Sequence, residues 1–203
     1  MVDDLSARGT QHGHPVTVDD VTALPVGAEG DLAGRRATAS KGHAVHSAAP
    51  GEVTITSTRY PFCTSGDPTK FTATRSAATL IPFHQELNRL TLKVKSARAA
   101  QYAVTWGETT RVFPAKALAN GINLAAEFPD NPFCDAFQKV DEAILKKQNF
   151  ETEQVKSKFH SAAAKADMAA VVAETEAQRA KLVEAVAAAF VPVTHTIRIA
   201  AQP

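Results

Sequence analysis

The element that most constrains this chain is its final run. After Pro192 come Val193, His195, Ile197 and Ile199 on one face, alternating with Thr194, Thr196 and Arg198 on the other. Strict alternation is the period of a β-strand. A strand needs a partner, and the segment just before it has a different period. Thirteen of residues 161–190 are Ala, the strongest helix former, and Met168, Val171, Val172, Leu182, Val183, Val186 and Phe190 mark an apolar stripe through a helix expected over 162–190. Pro192 ends it. The closing strand must therefore pack back on a sheet begun earlier, and helices bracketed by β on both sides read as α+β.

The earlier sheet is legible in pieces. Ala37–Ser40, His43–Ser47 and Val53–Thr58 are short β-rich runs, the last two separated by Pro50-Gly51, a pair suited to a tight turn. Val53 and Ile55 alternate with Thr54 and Thr56. Residues 59–77 hold Pro61, Gly66 and Pro68 and read as a long loop, a length that often carries function. Strands are expected at Thr79–Pro82, at Leu90–Lys95, and as a hairpin from Tyr102–Trp106 through Gly107 to Thr110–Phe113. Pro114 and Gly121 bracket a short helix in the usual order of Pro first and Gly last. Past Pro132, Phe133, Phe137, Val140, Ile144 and Leu145 form an apolar helical stripe continued by Phe150, Val155 and Phe159, with Glu142–Lys146 and Glu153–Lys156 as expected charge pairs. The expected architecture is a small antiparallel β-sandwich-like layer at 35–126, a helical hairpin at 132–190 and a closing strand at 193–200. Residues 1–34 read as an irregular lead-in, with one short strand near Val16–Val21.

Charge narrows the partners. With 22 Lys+Arg against 21 Asp+Glu the net charge is +1, so the chain has no electrostatic footprint for nucleic acid or an anionic membrane. No apolar run approaches the roughly 18–20 residues of a membrane helix. The opening MVDDLSARGTQHGH lacks the basic and apolar regions of a secretory signal. Cys63 and Cys134, each in a Pro-Phe-Cys triplet, exclude a disulfide-dense scaffold and a four-cysteine zinc site. Two structural thiols are the first reading and a disulfide the second.

No catalytic motif stands in the sequence. There is no Gly-Asp-Ser block, Gly-x-Ser-x-Gly elbow, phosphate loop or His-Glu-x-x-His. His12, His14, His43 and His46 read as ordinary histidines rather than metal ligands, because a catalytic zinc needs three convergent protein ligands. No cofactor is implied. The candidate binding residues are Arg59 and Tyr60 at the mouth of the long loop, Trp106, and His84. Trp106 ends an alternating strand, so burial is the favoured reading over a sugar-stacking role, and Tyr60, with Arg59, is the better exposed contact. His84, Gln85, Glu86 and Asn88 form a polar turn in which Asn88 is expected to bond the local backbone.

Several short motifs, in order, carry a family resemblance. ATASKGHAV at 37–45, ITSTRYPFC, LIPFHQELNRLTLKV, YAVTWGE, FPAKALANGINL at 113–124 and AAEFPDNPFCDAFQKVDEAILKKQNFE resemble the C-terminal extension of bacterial (Planctomycetes-like) SGNH/GDSL-type hydrolases. Leu87-Asn88-Arg89, Gly121-Ile122-Asn123-Leu124-Ala125 and Val193–Ile199 match the motifs of that extension. The resemblance implies a family activity of ester hydrolysis, of acylated carbohydrate, in an exported protein whose extension packs against a catalytic domain. The family's serine nucleophile and its oxyanion Gly and Asn have no counterpart here. His14-Pro15 stands where an Asp-x-x-His-Pro block belongs, but Gln11 occupies the Asp position. No catalytic residue carries over, and the mismatch over 1–34 points to a truncated gene, a misplaced start or a frameshift. The expected function is that of a non-catalytic region, inactive alone, whose partner is the missing catalytic domain. A carbohydrate-binding module or a structural interaction domain are the alternatives.

Overall fold

The computed structural model describes residues 37–49, 51–94 and 97–203. The lead-in, the strand near Val16–Val21, His12, His14 and Lys95 lie outside them. The fold is α+β, and two compact units divide it: one runs to Pro132 and takes up Val193–Pro203, the other is Phe133–Pro192.

The first unit is built on a five-stranded antiparallel sheet. Its strands are β1 (His43–Ala49), β2 (Glu52–Ser57), β4 (Gln101–Trp106), β5 (Thr109–Pro114) and β7 (Val193–Gln202). Their order in the sheet is β1-β2-β7-β4-β5. The last strand in sequence is thus the middle strand in space. It pairs Ile55 with His195 on one side and Val104 with Ile199 on the other. Without β7 the two hairpins β1–β2 and β4–β5 would share no edge.

Alternation sorts each strand's side chains onto two faces. Val53 and Ile55 of β2, Tyr102, Val104 and Trp106 of β4, Phe113 of β5, and Ile197 and Ile199 of β7 are all buried. The opposite face carries threonines, which bond across strand pairs: Thr54 to Thr196 at 2.9 Å, Thr56 to Thr194 at 2.9 Å and Thr105 to Thr110 at 2.8 Å. The turn between β1 and β2 requires Gly51. Its φ is +71°, and a Cβ there would stand 2.7 Å from the carbonyl oxygen of Ile199.

Short elements complete this unit: α1 (Thr74–Ala77), α2 (Phe83–Glu86), β3 (Thr91–Leu92), α3 (Ala115–Asn120), β6 (Ile122–Asn123) and α4 (Leu124–Glu127). β3 and β6 pair as a two-stranded ribbon. Phe128, just past α4, meets the Trp106 ring edge-on at 5.9 Å and the Phe113 ring at 6.3 Å. Beside the five-stranded sheet the described residues thus form a two-stranded ribbon with helical turns rather than a second full sheet.

Local expectations fail where chain geometry overrides pattern. Ala37–Ser40 has no regular structure. Thr79–Pro82 is a turn: the N–H groups of Thr79 and Leu80 bond back to Ser76 and Ala77, leaving Leu80 and Ile81 exposed. The run from Leu90 pairs only at Thr91 and Leu92, after which the Val94 N–H turns to the carbonyl of Leu118.

The second unit is a helical hairpin of α5 (Cys134–Lys156) and α7 (Met168–Ala189), joined by a 3-10 turn at Lys158–His160 and by α6 (Ala162–Ala166). The helix expected over 162–190 is broken at Asp167. Its carboxylate accepts the N–H of Ala170 at 3.0 Å, so it caps α7 as Ser161 caps α6. The expected charge pairs are replaced. Glu142 accepts from Gln138, Glu153 pairs with Lys158, and Lys147–Glu151 is the close i,i+4 pair at 2.7 Å. Inside the hairpin the buried Gln154 amide donates to Thr175 at 3.0 Å and to Glu176 at 2.9 Å.

Candidate functional site

Two polar constellations stand out in the first unit. The deeper one runs across four strands on the buried face of the sheet. Trp106 Nε1–H donates to His195 Nδ1 at 3.1 Å. His195 Nε2 lies 3.0 Å from Ser57 Oγ, which lies 2.8 Å from His43 Nδ1. The indole can only donate, so neutral His195 must carry its proton on Nε2 and give it to Ser57. Ser57 in turn donates to His43. Burial, and then the charge of nearby His43, lower the His195 pKa from 6.5 to about 4. A serine beside a histidine invites a nucleophile reading. Ser57 is 0% exposed, however, and no substrate carbonyl can reach it. This chain of bonds satisfies polar groups inside the core. Sequence missed it because His195 and Trp106 are 89 residues apart.

The same geometry corrects one candidate. Trp106 is 0% exposed, its ring flanked edge-on by Phe128 and His195, so it has no face to offer a sugar. Arg59 and Tyr60 are half-buried just beyond β2. The Arg59 side chain covers Gly42, where a Cβ would stand 2.6 Å from Arg59 Cδ. Arg59 and Tyr60 are absent from the groove that His84 lines.

That groove is the second constellation, formed where α2, β3, α3 and β6 converge. Two asparagines build it. Asn88 pairs with the backbone of Phe62, accepting its N–H at 2.8 Å and donating to its carbonyl at 2.9 Å. Asn123 accepts from the N–H groups of Leu90 and Ala125 and donates to the carbonyls of His84 and Asn88, at 2.7–3.2 Å. Asn123 is spent wholly on the backbone, and Asn88 gives it the amide oxygen and one N–H. The bonds of Asn88 reach Phe62, 26 residues away, rather than the local turn expected of it.

His84 is positioned by the same lattice. Its Nδ1 lies 3.2 Å from the Asn88 amide nitrogen, whose donor role is fixed by the Phe62 carbonyl. The ring therefore accepts at Nδ1 and holds its proton at Nε2. Burial pushes the His84 pKa below its ordinary value, which agrees with a neutral ring. The groove, of about 670 Å³, is also lined by Arg89, Lys93, Asn120, Gly121 and Glu127. Glu127 is taken up by Arg111 at 2.8 Å.

The remaining chemistry is quickly placed. His43 is committed to Ser57, and His46 is exposed at a bulge in β1. Cys63 and Cys134 are both thiols; the buried Cys63 sulfur lies 3.8 Å from the Pro61 carbonyl and 3.8 Å from Asn131. Among the described residues no three His, Cys, Asp or Glu side chains converge as a metal set. No helix among them is long and apolar enough to cross a membrane.

One solved structure, a gut microbial diltiazem-metabolizing enzyme, is similar. The TM-score is 0.57 at 15% identity, over 94% of this chain. This chain spans about half, 51%, of that protein's length. At that identity the likeness concerns architecture alone. No family model matches the chain, and no curated protein matches it.

Proposed function

We propose that this chain is the non-catalytic C-terminal region of an SGNH/GDSL-type esterase, which supports and packs against a catalytic domain and does not hydrolyse esters by itself. The observation that carries this reading is how the motif residues are used. Asn88 and Asn123, the polar centres of the Leu-Asn-Arg and Gly-Ile-Asn-Leu motifs, spend their amides on backbone groups. They are staples, as expected of a region whose catalytic chemistry lies in another domain. The nearest approach to a catalytic pair among the described residues, Ser57 with His195, is sealed in the core.

One further fact favours the reading. The segment between β2 and β3 exposes Phe71 at 93%, Leu80 at 82%, and Ile81 and Leu87 at more than half. Exposed apolar side chains gathered in one segment suit a surface that meets another protein region.

The test has two arms. The purified chain is assayed on p-nitrophenyl acetate and treated with a fluorophosphonate probe, and the DNA upstream of the first codon is read in all frames. No turnover, no serine label and an overlapping frame encoding Gly-Asp-Ser are the expected results. Stoichiometric serine labelling with loss of a measured activity would refute the proposal, since the acyl-transfer residues act as a unit.

A further inference from the structure

We infer that the groove between α2 and β6 is a binding site for a hydroxylated carboxylate, of which a uronic acid sugar is the representative. The inference stands on this groove alone and does not depend on the esterase reading.

Arg89 and Lys93 both line the groove, and neither is held in an ion pair among the described residues. The one carboxylate in the lining, Glu127, is neutralised by Arg111. The groove therefore presents two uncompensated positive charges, although the whole chain carries a net charge of only +1. Cations grouped in a concave surface attract an anion more strongly than the same cations spread over a convex one.

Positioning comes next. Lys93 is held by a glycine. Gly121 has φ +105°, and a Cβ there would stand 2.8 Å from Thr91 Cγ2 and 3.2 Å from Lys93 Cε. The lysine stem thus lies against bare backbone, which limits the freedom its ammonium must lose on binding. Arg89 directly follows Asn88, whose amide is locked to Phe62. His84 contributes Nε2–H, because its Nδ1 is committed to Asn88.

The donor count then selects the ligand. Arg89, Lys93 and His84 Nε2 can only donate, and a carboxylate can only accept. Gln85, Thr91 and Asn120, also in the lining, can both donate and accept, as hydroxyl groups require. Asn123 lines the groove but is fully used by the backbone, so it is scaffold. A neutral sugar would leave both cations unmet, and a bare inorganic anion would leave the amides unused.

The experiment is isothermal titration of the full chain at low ionic strength with trigalacturonate, with maltotriose and inorganic phosphate as comparison probes. Trigalacturonate is expected to bind and to weaken with added salt. Arg89→Ala and Lys93→Gln are each expected to weaken it about tenfold or more, a difference of about 1.4 kcal/mol. Thr56→Ala, on the opposite face of the sheet, is expected to change nothing. Circular dichroism confirms that each variant is folded, and Lys93→Gln decides the matter if Arg89→Ala does not fold. Three results would overturn the inference: no heat with trigalacturonate, equal affinity for maltotriose or phosphate, or unchanged affinity in folded Arg89→Ala and Lys93→Gln.

Discussion

Acid should weaken this fold through His195, and the size of the effect follows from its surroundings. The ring is 4% exposed, accepts the Trp106 N–H at Nδ1 and donates to Ser57 from Nε2. A second proton would go on Nδ1, directly opposite a donor that cannot turn away. The folded pKa is accordingly about 4, against 6.5 for the free side chain. Between those two pH values the unfolded chain binds the proton and the folded chain does not. Stability contributed by this group is therefore complete above about pH 6.5 and lost as pH falls toward 4. A shift of this size is worth about 3 kcal/mol. That is a substantial part of the roughly 5–15 kcal/mol that holds an ordinary domain together. The assay is urea unfolding at several pH values between 7.5 and 4, for the native sequence and for His195→Gln. Glutamine can accept from Trp106 and donate to Ser57 but does not titrate. The carboxylates and His43 are common to both proteins, so the difference between the two curves isolates His195. The native protein should lose about 3 kcal/mol more than the variant across the window. Parallel curves would refute the reasoning, because they would mean that the buried ring takes up a proton without penalty.

Two further outcomes test the first unit. Leu92→Asp should unfold it, since Leu92 is 0% exposed and a buried unpaired carboxylate costs several kcal/mol. Lys93→Asp, on a half-exposed neighbour, should keep the native melting temperature within a few degrees, and equal losses for the two would overturn the assigned faces. Asn123→Ala should lower stability by about 2–4 kcal/mol, because it removes four backbone partners at once and strands them. A chemical-denaturation midpoint within error of the native value would contradict the staple role.

What could be read from the sequence was what depends on neighbours along the chain. The alternation of Val193–Ile199 announces a strand because each residue's face is set by its own position. The face, however, does not reveal the partner, and that is why a stacking role for Trp106 could be entertained beside the favoured burial. Its fate was decided by His195 arriving beside it in β7 and by Phe128 closing over it. Asn88 shows the same limit. A local turn bond and a bond to Phe62 have one composition, and only the folded path brings Phe62 near. The break at Asp167 was hidden differently. Alanine-rich sequence on both sides favours helix so evenly that the capping signal of one aspartate is drowned. Arg59 and Tyr60 follow β2 and His84 lies in the short helix α2 rather than in a turn, and the chain does not gather the three into one groove.

The position of β7 sets an order of events during synthesis. The hairpins β1–β2 and β4–β5 can close as soon as each emerges from the ribosome, since their partners are adjacent in sequence. The seam between them cannot. Thr56 waits for Thr194 across a separation of 138 residues, and Glu52 waits for Arg198 across 146. Until β7 is released, β2 and β4 each present an unpaired edge, the kind of template on which strands from other chains add. Long-range closure of this type is slow relative to local pairing. The nascent protein thus passes through a stage with its hairpins made and its centre missing, and it is at that stage, rather than after completion, that a chaperone or a neighbouring nascent chain would find it most receptive.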